Sequence, residues 1–342
     1  MLALKKIIIV SLTILTGCSL NIGRSSNNNI LKSNLPGFKT IPYFGEQQMR
    51  LSFNPEVSVL INAPGSFYLN KPTEVILFAT PNGNTIEQTF GKKLEEGDDW
   101  HFNIQHIGAQ TRFIRDLVKD RNIVTVYLQT EQKSWPWWRR LHEDNATIIH
   151  SIVDSVENIF KDYHPYLVLT GHSGGGSFTF GYLNSVKEIP DNVKRISFLD
   201  SDYGFEDKYG EQFVQWLKSD KEHYFSVLAY NDSVALYKGK TFVSPTGGTW
   251  YRTKMMQKYL ADYFNFTRVE DSTMIRFSAL SGRIKIFLKK NPDKAILHTV
   301  QVERNGFIEC MLSGTGYENM GYVYYGERAY TRYIQNGDLP AD

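Results

Sequence analysis

The sequence predicts an α/β fold with a mostly parallel central sheet and helices on both faces, on three observations. Apolar, β-rich runs alternate with segments of helical spacing along most of the chain. That alternation argues for a mostly parallel sheet covered by helices on both faces, and Glu74–Thr80 among the strand-like segments is an apolar run. And 342 residues with 42% hydrophobic and 22% charged side chains suffice for one large domain with an ample core.

The elements follow in order. Arg50–Val59 alternates polar and apolar residues and Glu74–Thr80 is an apolar run closed by Pro81-Asn82-Gly83-Asn84, so both read as strands. His106–Asp120 has helical spacing, Asn122–Leu128 is β-rich, and Asn145–Phe160 carries Ile148, Ile149, Ile152, Val153, Val156 and Ile159 on one helical face. Strand Tyr166–Thr170, a helix from Gly176, strand Arg195–Asp200, a short helix near Gln212–Leu217 and strand Tyr224–Tyr230 continue the rhythm. The tail holds strand-like runs at Met274–Leu280, Arg283–Lys289 and Leu297–Val302, with Asn291-Pro292-Asp293 between the last two as the turn of a hairpin.

The first residues predict export. Lys5 and Lys6 precede a short apolar run, Ile7 to Leu15, which is too short to span a bilayer and has the layout of a secretory signal peptide. The run ends in Leu15-Thr16-Gly17-Cys18, which resembles the lipobox of bacterial lipoproteins. That resemblance implies a signal peptide over 1–17, lipidation (palmitate among the acyl groups) at Cys18, and a membrane-anchored protein of the cell envelope facing the periplasm or exterior. Residues 18–40, with Ser25-Ser26-Asn27-Asn28-Asn29, read as a flexible tether, and 41–342 as the folded domain. Cys310 is the only other cysteine, so a lipidated Cys18 leaves no intramolecular disulfide and no site built on paired cysteines. A net charge of +2 gives no electrostatic footprint for nucleic acid, and no metal or organic cofactor is implied.

The segment with most chemical content is Gly171-His172-Ser173-Gly174-Gly175-Gly176, a Gly-x-Ser-x-Gly pattern between a buried strand and a helix. Such a turn exposes the serine hydroxyl at the strand tip, beside a helix N-terminus that favours negative charge. A phosphate-binding loop is the structural rival, but the Lys-Ser/Thr ending and the glycine spacing of that loop are absent. With the strand before, the helix after and the alternating series around it, the sequence resembles the α/β-hydrolase superfamily of esterases, lipases and peptidases from about Arg50 to the C-terminus. The resemblance implies Ser173 as nucleophile, an acid after a later strand and a histidine after the last one.

On that order Asp232, at the end of Tyr224–Tyr230, is the expected acid, with Asp200 and Asp202 as alternatives one strand earlier. His298 is the expected base if the last core strand is Arg283–Lys289; if that strand is Leu297–Val302, His298 lies at its wrong end. His142 is the reserve, His172 is expected to point away from the nucleophile and pack, and His101 and His106 to serve local structure. The oxyanion hole implied is the N–H of Gly174 with one from the Thr80–Asn84 loop, Asn82 before Gly83. Trp135, Trp137, Trp138, Arg139 and Arg140 are expected on a loop overhanging the site, able to stack on a sugar and hold a carboxylate, or to bury against the sheet. The function expected is hydrolysis of a small-molecule or saccharide ester, or of an amide, through an acyl-enzyme. The alternative is a binding lipoprotein without catalysis on the same fold.

Overall fold

The computed structural model describes residues 31–32, 34–98 and 105–336. Among these, eleven strands form the main sheet, numbered here in chain order: β1 Lys39–Thr40, β2 Gln47–Phe53, β3 Val57–Ala63, β4 Thr73–Ala79, β5 Asn122–Thr130, β6 Pro165–His172, β7 Val193–Leu199, β8 Tyr224–Tyr230, β9 Thr267–Glu270, β10 Met274–Ala279 and β11 Ile284–Lys289. Their spatial order is β9-β10-β11-β8-β7-β6-β4-β5-β3-β2-β1. The six in the middle, β11 to β5, are mutually parallel, and the flanks are antiparallel.

This is the α/β architecture the alternation implies, and burial explains it. Every residue of β4 is buried, with Val75 and Leu77 in one core and Ile76 and Phe78 in the other. A strand covered on both faces cannot alternate with polar residues, so it reads as a continuous apolar run. Helices Asn145–Ile159, Gly176–Ser185, Asp207–Ser219 and Thr249–Ala261 cover the first face through Ile149, Phe178, Phe213 and Met256. Helices Ile107–Leu117 and Phe307–Leu312 cover the second through Ile114 and Phe307. Each such side chain withdrawn from water contributes about 1.5–3 kcal/mol.

Several expected elements differ. Arg50–Val59 is two antiparallel strands, β2 and β3, reversing at Asn54-Pro55-Glu56. Leu297–Val302 is no strand: it is loop and the start of a helical turn, and the tail's hairpins are β9–β10 and β10–β11. The Gln212–Leu217 helix is longer, Asp207–Ser219, and Thr249–Ala261 was not foreseen. Part of the expected tether is structured. Leu31–Lys32 pairs with Phe67–Tyr68, Leu35 is buried with its N–H on Gln47 Oε1 at 2.7 Å, and Lys39–Thr40 is the edge strand β1, so 34–40 packs on the fold. Residues 1–30, with the expected signal segment and Cys18, lie outside the described residues.

Candidate active site

The chain leaves β6 at His172 and turns so sharply that Ser173 has φ +55°, a left-handed conformation that costs a non-glycine residue about 1–3 kcal/mol. The surroundings enforce it. A Cβ on Gly175 would lie 2.2 Å from the carbonyl oxygen of Ala79 at the end of β4, so only glycine lets the turn nest against the neighbouring strand. The helix Gly176–Ser185 then starts directly behind Ser173 and presents its N-terminal dipole there.

His298 lies beside this turn. It follows β11, in a loop stapled by Asn291, whose Nδ2 donates to the carbonyls of Asn231 (3.1 Å) and Ala295 (2.8 Å) and whose Oδ1 accepts from the Ala295 N–H (3.0 Å). The choice left open by the sequence is thereby decided: β11 is the last core strand, and His298 comes after its carboxyl end. Its ring packs on that of His172, with centroids 4.4 Å apart.

The carboxylate against His298 Nδ1 is that of Asp200, not of Asp232. Register is the reason. Leu199 of β7 pairs with His172 of β6, so Asp200 stands one strand over from Ser173 and level with it, whereas Asp232 follows β8, two strands away. Asp232 has another partner: its Oδ2 accepts the Thr249 N–H (2.8 Å) at the start of helix Thr249–Ala261, a normal place for an anion. Thr249 links the two acids, because its hydroxyl donates to Asp200 Oδ1 and lies 3.4 Å from Asp232 Oδ2. Thr249 was invisible to sequence reasoning.

Asp202 is fully buried behind this pair and accepts from the Thr253 hydroxyl at 2.8 Å. Burial pushes its carboxyl up to about 8, with the nearby Asp200 adding to the effect. Burial and then Asp200 likewise push Asp232 up to about 6. Asp202 is therefore mostly protonated at neutral pH, and the acid in contact with the imidazole is Asp200.

The other histidines have structural partners. His172 is buried; its Nδ1 faces Gln105 Nε2 (3.1 Å) and its Nε2 faces the main-chain carbonyl of His298 (3.2 Å). With the Gln105 amide donating, the ring proton sits on Nε2 and donates to that carbonyl. Burial, then the neighbouring His298, hold its pKa well below the usual imidazole value, so it stays neutral. His142 pairs with Glu56 at 3.5 Å and packs on Trp138, and His106 opens helix Ile107–Leu117. His101 lies outside the described residues.

In the Thr80–Asn84 loop, the Gly83 N–H is taken by the carbonyl of Lys133 at 2.8 Å. Of the two expected donors, that leaves Asn82. The Asn82 side chain covers Gly174, where a Cβ would lie 2.0 Å from its Oδ1, so the loop and the elbow are in direct contact.

The tryptophan segment is a helix, Trp135–Leu141, not a loop; Ser134 caps it and Pro136 stands in its first turn, a start signal present in the sequence. Trp135 and Trp138 are 1% and 0% exposed and belong to the core, while Trp137, 49% exposed, stacks under Arg140. Pro136 and Arg139 instead line a cavity of about 610 Å³ that also contains Ser173, Gly174 and Asn82.

No known family profile and no curated protein matches the sequence. Among solved structures, the chain is similar to a thermostable esterase (11% identity, TM-score 0.47, 82% of this chain and 64% of that one). It is also similar to a feruloyl esterase module from Clostridium thermocellum (10%, TM-score 0.37, 59% and 75%) and to an S-formylglutathione hydrolase from Agrobacterium tumefaciens (10%, TM-score 0.37, 80% and 99%). The chain thus spans less than two thirds of the thermostable esterase. With the strand order, the positive-φ serine at the tip of a central parallel strand and a histidine after the last core strand, the chain has the α/β-hydrolase fold.

Proposed function

We propose that the chain is an exported, lipid-anchored serine hydrolase that cleaves a small-molecule or saccharide ester, or an amide, through an acyl-enzyme. The observation that carries the reading is the Asp200–His298 contact beside the strained Ser173. Asp200 on Nδ1 fixes the tautomer and leaves Nε2 as the nitrogen able to accept a proton. Ser173 Oγ attacks the carbonyl carbon as His298 Nε2 takes its proton, and the tetrahedral oxygen rests on the N–H groups of Gly174 and Asn82. The imidazolium then protonates the leaving alcohol or amine. Water, deprotonated by the same nitrogen, releases the acid and restores Ser173. Lys5, Lys6, the apolar run and Leu15-Thr16-Gly17-Cys18 support the anchor.

The test is labelling of the purified protein by a serine-directed fluorophosphonate. We expect covalent modification of the wild type and none of Ser173→Ala. An unlabelled wild type would overturn the hydrolase reading in favour of a binding lipoprotein.

A further inference from the structure

The cavity that holds Ser173 also holds a cation without an anion. Arg139 is fixed on the flank of the helix behind the elbow: its Nε donates to Asn145 Oδ1 (3.0 Å), and one terminal nitrogen donates to the carbonyl (3.0 Å) and hydroxyl (3.1 Å) of Ser177. All three acceptors are neutral, as is the Tyr209 hydroxyl that also bonds Arg139, and among the described residues Arg139 forms no ion pair. Elsewhere in the chain, Glu46 takes Arg112 and Arg115 and Glu74 takes Arg121, while Arg195 and Arg283 spend their donors on main-chain carbonyls away from this cavity. Lys208 and Glu206, also on the cavity wall, pair with each other at 3.1 Å and cancel. Arg139 is left as the uncompensated charge of the cavity, and burial opposes that charge.

We propose that Arg139 recognises a carboxylate on the substrate, so that the ester cleaved is an anionic one. This rests on the hydrolase reading of Ser173. The guanidinium has five N–H groups, so the bonds to Asn145, Ser177 and the Tyr209 hydroxyl leave one to donate, and the Ser177 hydroxyl, which accepts from Arg139, keeps its own proton to donate. Together they offer an oriented pair of donors of the kind that matches a carboxylate. Arg139, Ser177 and Ser173 line the same cavity, so a carboxylate held by Arg139 and a carbonyl at Ser173 can belong to one small molecule. Arg140 does not compete, since it lies over the exposed Trp137.

The experiment compares two pairs of esters. One pair is p-nitrophenyl pentanoate and mono-p-nitrophenyl glutarate, with the charge on the acyl side; the other is phenyl acetate and 4-acetoxybenzoate, with the charge on the leaving alcohol. In at least one pair the wild type should favour the anionic ester in kcat/KM, and Arg139→Gln should reduce that preference about tenfold or more. Arg139→Lys should restore part of it, and the pair affected identifies the side of the ester that is read. Calorimetry of glutarate binding to Ser173→Ala gives a second readout, because binding should disappear in Ser173→Ala/Arg139→Gln. Turnover with a preference and a glutarate affinity both indifferent to Arg139 would overturn the proposal and leave the hydrolase reading intact. Arg139-dependent glutarate binding in a wild type that cleaves no ester would do the reverse.

Discussion

His172, inside the serine turn, donates a hydrogen bond from Nε2 to the main-chain carbonyl of His298 at 3.2 Å while the two rings pack at 4.4 Å. The residue just before the proposed nucleophile thus holds the backbone of the proposed base. Gln105, on the far nitrogen, selects the tautomer that can do so. His172→Phe keeps a ring for packing and removes the donor, so the imidazole of His298 should lose orientation without losing its acid. We expect kcat for a small activated ester to fall roughly 10- to 100-fold, the loss of one buried hydrogen bond, with KM much less changed. Unchanged kcat in a folded His172→Phe protein would count against the arrangement.

The two buried acids separate the role of partner from that of helix cap. Asp200→Asn leaves His298 Nδ1 facing an amide and should lower kcat by about 10⁴-fold, the scale seen when a triad acid is neutralised. Asp232→Asn keeps an oxygen for the Thr249 N–H at the start of helix Thr249–Ala261, so kcat should change far less than in Asp200→Asn. Kinetics on both variants check this. A larger kinetic loss in Asp232→Asn than in Asp200→Asn would reverse the assignment.

What the sequence reveals here follows from how local each determinant is. The elbow is a six-residue pattern whose constraint is the approach of Gly175 to Ala79, and it is legible because glycine has no substitute there. The acid is different: Asp200 and Asp232 both end apolar strands, and what separates them is the Leu199–His172 register and a helix N-terminus 17 residues beyond Asp232. Neither leaves a local mark. By contrast, the turn at Asn54-Pro55 and the Ser134–Pro136 helix start are local signals in the sequence, and the structure follows both. The role of Trp135 and Trp138 turned on burial, which a cluster of tryptophans does not declare.

Gly175→Val places a β-branched side chain where even a Cβ would lie 2.2 Å from the Ala79 carbonyl oxygen. The crossing of turn and strand has to open, so the variant should be insoluble or lose both its cooperative unfolding transition and fluorophosphonate labelling. Circular dichroism and labelling decide the matter. A soluble, fully labelled Gly175→Val protein would mean that the serine turn does not nest against β4.

Cys18→Ser tests the anchor, whose residues lie outside the described part of the chain. If the lipid is what holds the protein to the membrane, fractionation should find the variant unprocessed or released in soluble form. Unchanged membrane attachment would exclude Cys18 as the anchor.

Asp202 supplies a pH signature of the site's floor. Its carboxyl has an ordinary value of 3.8 and is raised to about 8 in the fold by burial first and by Asp200 in addition. Between those values the unfolded chain gives up a proton that the folded chain keeps, so stability falls as pH rises, by up to about 1.4 kcal/mol per pH unit. The contribution is fully present below about pH 4 and is lost by about pH 8, where the folded group ionises too. Asp232 acts in the same direction over the narrower span up to about 6. Asp202→Asn keeps an oxygen for the Thr253 hydroxyl and cannot ionise. Its urea midpoint should therefore gain on that of the wild type steadily from pH 5 to pH 8. A gap that stays constant over that interval would show that Asp202 is not held protonated in the folded protein.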